Sequence, residues 1–122
     1  MLVDGQTHGA IVQGLGQALM EHCIHEVRSG QLLTGTFMDY ALPRAHNVPF
    51  FEVHCHEVPA PNNPLGIKGA GEGGTTGSPP AIMNAIIDAL EGVGVKDIAM
   101  PATPERIWRA IQAGTGGKPW IG

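Results

Sequence analysis

The segment LGIKGAGEGGTTGSPP, residues 65–80, places glycine at positions 66, 69, 71, 73, 74 and 77 around a single base, Lys68, and a single acid, Glu72. Hydrophobic burial cannot account for it, because it has almost no side chain to bury. What such a segment does offer is backbone: without a Cβ, N–H groups can come close to a ligand, and a helix starting directly downstream adds its positive end. A carboxylate set among those donors is held in place as a base or a ligand. Lys68 and the helix end favour its ionised form, and burial opposes it. Glu72 could also be an ordinary surface-loop acid, but the conformational cost of so many glycines argues for a function.

Two phosphate-binding patterns invite comparison. Gly69, Gly71 and Gly74 have GxGxxG spacing, which would make this a dinucleotide-binding module with Asp88 or Glu91 as the ribose acid. That motif follows a strand directly, whereas here a proline-rich loop comes first, and Glu72 would repel a pyrophosphate in the turn. A P-loop fails because its lysine should follow the glycines. His54 with His56, and His22 with His25, could contribute to a zinc site, but their spacing lacks a clear ligand set, so no residue is assigned to metal. Ser78 lacks the GxSxG setting of a hydrolase nucleophile.

A chain of 122 residues has room for one modest core, and 18 Gly with 10 Pro means much loop or closely packed backbone. Its net charge of −4, with 7 Lys and Arg spread singly, speaks against a nucleic-acid or anionic-membrane surface. Cys23 and Cys55 are too few for a disulfide framework and read as buried free thiols. No apolar run reaches the roughly 20 residues that span a bilayer, so a cytoplasmic location is expected.

Apolar residues at three- and four-residue steps predict a helix over residues 6–26. It contains Gly9, Gly14 and Gly16, each costing about 1 kcal/mol relative to Ala, which calls for another backbone or a ligand nearby. Gln6, Gln13 and Gln17 project from it within a narrow arc. Arg28-Ser29-Gly30 predicts a hairpin turn, and FFEVHCHEV at 50–58 alternates like a strand with one apolar face. A second helix is expected over 78–91, with Pro79 and Pro80 in its first turn, then a short strand at 95–100. A third helix should start at Thr103-Pro104-Glu105 and run to about 113. The expected fold class is therefore α+β, three main helices with a short sheet, as one segment over 1–113 and a loose tail over 114–122.

The segments HGAIVQGLGQALMEHCIHE, GQLLTGTFMDYALPRA, VPAPNNPLGIKGAGEGGTTGSPPAIMNAIIDAL and MPATPERIWRAI, in this order, cover nearly the whole chain. Together they resemble the C-terminal part of the molybdopterin-binding large subunit of the xanthine oxidase, aldehyde oxidoreductase and aerobic carbon monoxide dehydrogenase family, most of all its carbon monoxide dehydrogenase-like branch. The resemblance implies an oxidoreductase in which Glu72 is the base toward a molybdenum-bound hydroxide during hydroxylation of a small substrate. It implies further that Lys68, Gly69, Ala70 and Gly71, with Gln13 on the first helix, approach a molybdopterin cytosine dinucleotide. The remainder of the large subunit and separate iron–sulfur and flavin-binding subunits would be its partners. Because a segment of this size cannot surround so large a cofactor, the lone chain could equally be a non-catalytic assembly or fold module.

Overall fold

The computed structural model describes residues 1–116, so the expected tail falls largely outside the described residues. Three helices carry the fold: α1 (Leu2–Leu19), α2 (Gly73–Leu90) and α3 (Pro104–Gly114). The expected short sheet is absent. Among the described residues the only β pairing is one isolated antiparallel bridge between His25 and Leu32, so the fold is helical and not α+β.

The reason lies in partners. At residues 24–33 the predicted turn forms: Gly30 takes a left-handed φ of 72°, its N–H donates to Glu26 O, and Leu33 N–H reaches Ile24 O at 2.8 Å. The Glu26 carboxylate accepts from Arg28 and Ser29 N–H at 3.1 and 2.6 Å, and the Ser29 side chain foremost, with these backbone bonds, holds it below the usual carboxylate range. The arms then diverge after one bridge. Residues 50–58 form no ladder because no strand among the described residues pairs with them, and a strand without a pairing neighbour leaves its backbone groups to water. The same holds for residues 95–100, where only Val95 is buried. Both cysteines are free and exposed, contrary to the expectation of buried thiols.

The helices α1 and α2 run side by side in the same direction. Gly74 meets Ala10 and Ile11, Ser78 and Pro79 meet Gly14, and Met83 clusters with Ala18. Small residues at 10, 14 and 18 on α1 recur every four positions and form one flat ridge, against which Gly74 and Ser78 pack. A methyl group added to Gly14 would fall onto Ser78 Oγ and stand 2.8 Å from Pro79 Cδ. One added to Gly74 would stand 2.9 Å from both Ala10 Cβ and Ile11 N. Two hydroxyls tie the pair together: Thr75 Oγ1 donates to Ala10 O and Ser78 Oγ to Ile11 O, both at 3.1 Å.

Here α2 differs from its predicted form. It starts at Gly73, five residues before the expected start, so Pro79 and Pro80 sit inside it and not in its first turn. Each proline removes an N–H that would bond four residues back, to Thr75 and Thr76. Contact with α1 takes over what the missing bonds would have supplied. Helix α1 is also displaced relative to its predicted span, ending at Leu19. Helix α3 begins as expected, with Thr103 Oγ1 accepting from Arg106 N–H at 3.4 Å and Pro104 in the first turn.

The small core of Ala18, Met83 and Ala102 lies between the later halves of α1 and α2 and the entry to α3. Ile82, Ile86, Ile98 and Ile107 pack around it, and Ala102 N–H donates to Ala18 O. The Arg106 guanidinium adds bonds to Met100 O and Pro101 O and lies 3.3 Å from His22 Nε2. The irregular middle of the chain is stapled to the end of α1 at Tyr40, whose hydroxyl donates to the Glu21 carboxylate at 2.7 Å. Gly16 leaves room for that carboxylate and for Pro43.

Two measurements test this packing. Gly14→Ala should lower stability by about 1–3 kcal/mol through overpacking against Pro79. Gly9→Ala, where an added methyl meets nothing within 4 Å, should raise it by up to about 1 kcal/mol in the same urea denaturation series. The bond to Glu21 pushes the phenol of Tyr40, the one tyrosine of the chain, up to about 12. The folded state therefore favours the neutral phenol, and this stabilisation is complete below pH 10 and lost as pH rises toward 12. A spectrophotometric titration should show the high midpoint, and Glu21→Gln should return it toward the ordinary tyrosine value.

Candidate functional site

The glycine turn leads straight into the α1/α2 contact. Glu72 is the N-cap of α2, with φ −102° and ψ −15°. Its carbonyl accepts from both the N–H and the hydroxyl of Thr76 at 3.0 Å. Its side chain makes no capping bond and is exposed, so the backbone is fastened while the carboxylate is free to act on something outside the chain.

Lys68, Gly69, Ala70 and Gly71 are likewise exposed, and among the described residues none of their N–H groups donates to a backbone acceptor. The first N–H groups of α2 are also left without a side-chain cap. Methyl groups added to Gly69 or Gly73 would meet nothing within 4 Å. The result is a strip of uncovered backbone donors ending at the positive end of a helix, with one carboxylate beside it. Because α1 and α2 are parallel, the positive end of α1 lies at the same end of the molecule.

The turn is close to the glutamine-bearing helix, but through Gln6. A methyl group on Gly71 would stand 3.7 Å from Gln6 Nε2, making Gln6 the glutamine next to the turn. Gln13 and Gln17 are exposed further along α1, with Gln13 about 10 Å from Gln6 along the axis. The sequence pattern contained the signal for Gln6, since Gln6, Gln13 and Gln17 share one arc. What it lacked was the level on α1 at which the turn arrives, and that is set by Gly74 resting on Ala10.

Beside the turn, an apolar groove of about 520 Å³ runs between the two helices, lined by Ile11, Leu15, Phe51, Gly77, Ala81 and Ile82. His8 meets the rings of Phe50 and Phe51 edge-on at 6.1 and 5.5 Å, which brings this segment against α1. A second hollow, of about 550 Å³ and bordered by Tyr40, Arg44 and His46, lies at the far end of α1 near Met20. That is about 20 Å along the helix from Gln6.

Other candidates stay apart. His54 and His56 are exposed, and among the described residues no three His, Cys, Asp or Glu side chains group closely enough to hold a metal ion. The GxGxxG glycines lead into a helix, with Gly74 in its first turn, but no strand leads into them, so the context of a dinucleotide-binding turn is missing. No helix among the described residues is long and apolar enough to cross a membrane.

Residues 1–49 match the family model of a molybdopterin cofactor-binding domain. The nicotine 6-hydroxylase large subunit of Paenarthrobacter nicotinovorans is 39% identical over 91% of this chain and 14% of its own length. The carbon monoxide dehydrogenase large chain of Hydrogenophaga pseudoflava is 36% identical over 92% of this chain, again 14% of its own. In three dimensions, quinoline 2-oxidoreductase from Pseudomonas putida 86 superposes with a TM-score of 0.85 at 44% identity, covering 92% of this chain and 14% of that one. The chain thus spans about one-seventh of the length of the relatives it matches. With the likeness extending over 91–92% of its length, the chain belongs to the family of molybdopterin-binding large subunits of the xanthine oxidase and carbon monoxide dehydrogenase kind.

Proposed function

We propose that this chain forms one wall of the molybdenum site in a larger hydroxylating oxidoreductase, with Glu72 as its base. The observation that carries the reading is the contrast at Glu72: its backbone is tied to Thr76 and the following turn to α1, while its carboxylate engages nothing among the described residues. A residue so fixed and so free is arranged for a reaction partner that comes from outside.

The donor set fits the cofactor that the family implies. A molybdopterin presents oxygen and nitrogen atoms that take hydrogen bonds, and the uncovered N–H groups from Lys68 through Gly71 and at the start of α2 are donors without side chains in the way. Gln6 would add a side-chain amide at the same level, and Gln13 one further along α1. The cytosine dinucleotide form is our reading of the family resemblance. When bound, the group supplies the two-electron redox chemistry. Glu72 takes the proton that an attacking oxygen must lose.

The rest of the large subunit would hold most of the cofactor, with iron–sulfur and flavin-binding subunits as electron partners and a small molecule as substrate. The exposure of the whole turn supports a second, compatible reading: the isolated chain is an assembly module that retains no cofactor by itself.

In the assembled enzyme, Glu72→Gln should reduce turnover at least about 100-fold, the usual scale for losing a positioned general base. Molybdenum and pterin content, measured on the same preparation, should be unchanged. Full turnover in that variant would remove Glu72 from the chemistry.

A further inference from the structure

The first turn of α2 is poorly held by α2 itself. Pro79 and Pro80 delete two consecutive rungs of its ladder, those that would reach Thr75 and Thr76, so residues 73–76 are joined to the rest of the helix by fewer bonds than an ordinary first turn. This is also the turn that Glu72 caps.

Two opposed contacts with α1 replace the missing rungs. Gly74 is the stop: any side chain there would run into Ala10 Cβ and Ile11 N, each 2.9 Å from the added carbon, so the backbones sit as close as glycine permits. The hydroxyl of Thr75, one residue later, is the tie, donating to Ala10 O across the gap at 3.1 Å. Ser78 repeats the tie one turn on, at Ile11 O. Both acceptors are helix carbonyls, which keep a second lone pair for such a bond. A stop and a tie at adjacent residues fix both the distance and the level of the turn on α1.

From this geometry we infer that Thr75 is a positioning residue for Glu72, setting through Ala10 O where the carboxylate stands relative to α1 and to anything seated along it. The inference rests on the reading of Glu72 as the base. Thr75 itself contacts no reacting group; it acts through three residues of backbone. The arrangement explains why a hydroxyl-bearing residue follows Gly74 and why two prolines are tolerated a turn and a half into the helix.

Thr75→Val removes the hydroxyl at nearly constant volume, and Thr75→Ser keeps it. In the assembled enzyme Thr75→Val should lower kcat roughly 10- to 100-fold with KM little changed, and Thr75→Ser should restore it. Placed on top of Glu72→Gln, Thr75→Val should cost nothing more, since it acts through the group already removed. Hydrogen exchange on the 122-residue chain gives a readout without turnover. The Thr76 amide, bonded to Glu72 O, should exchange faster in Thr75→Val and recover in Thr75→Ser, with the amides of α3 unaffected. Unaltered exchange at Thr76, or equal acceleration in all three helices, overturns the positioning role, as does a kcat within twofold of the parent enzyme. An active Glu72→Gln enzyme would instead overturn the base assignment, while exchange at the Thr76 amide still decides whether the tie holds the turn.

Discussion

The backbone of α2 rests on the backbone of α1 at Gly74, the side chains of Ser78 and Pro79 seat on Gly14, and the remaining structure depends on this contact. It brings the two long helices parallel with their starts at one end. The glycine turn is thereby left exposed at the rim, its N–H groups without backbone acceptors among the described residues, and the core is left to form further along, where Ala18 and Met83 meet. Were either glycine larger, the helices would separate and the hydroxyl bonds of Thr75 and Ser78 would lengthen together. Site and core are therefore linked through the same ridge of small residues, although no side chain belongs to both.

That coupling divides the chain's glycines into two groups with different physical work. Those at 14, 16 and 74 permit close packing, against Pro79, against Pro43 with the Glu21 carboxylate, and against Ala10. Those at 69 and 73 have nothing within 4 Å of an added methyl among the described residues, and their benefit is uncovered backbone. A loop built this way is expensive in conformational entropy and returns no burial to offset it. The cost makes sense if ordering is completed by a bound group, and family membership supplies one whose rim is rich in hydrogen-bonding atoms. On the proposed reading, the exposure of Glu72 in this chain is the exposure of one wall of a cleft.

Much of this is legible in the sequence, because the decisive features are local. The glycine cluster, the lone acid inside it, the small-residue spacing on α1 and the Thr103-Pro104-Glu105 helix start each have a short-range cause. What is not legible depends on partners distant in the chain. The alternation in FFEVHCHEV is a strand pattern, but a strand exists only when another lies beside it, and residues 50–58 have none among the described residues. Local rules put the start of α2 at Ser78, because a Pro-Pro pair is best tolerated in a first turn. The actual start at Gly73 depends on hydroxyl bonds to carbonyls 65 and 67 residues away, which no local rule contains. The thiols follow the same logic, since an apolar face on residues 50–58 buries Cys55 only if something covers it.

The same distinction bears on the glutamines. Resemblance points to Gln13, periodicity puts Gln6, Gln13 and Gln17 on one arc, and only the contact at Gly74 fixes the level at which the turn meets α1. Since α1 rises about 1.5 Å per residue, a one-turn slip of α2 along it would bring the turn to a different amide and move Glu72 by about 5 Å. For Glu72 as the proposed base such a displacement is not tolerable, because proton transfer requires hydrogen-bond reach. The small-residue ridge alone does not forbid the slip, as Ala10, Gly14 and Ala18 repeat every four residues and offer similar seats. What distinguishes the seats is the pair of hydroxyls at 75 and 78, together with the Met83 and Ala102 packing against Ala18 that would be lost by sliding. Register between the helices is thus set by polar bonds at one end and by the core at the other, with the Glu72 carboxylate at the polar end.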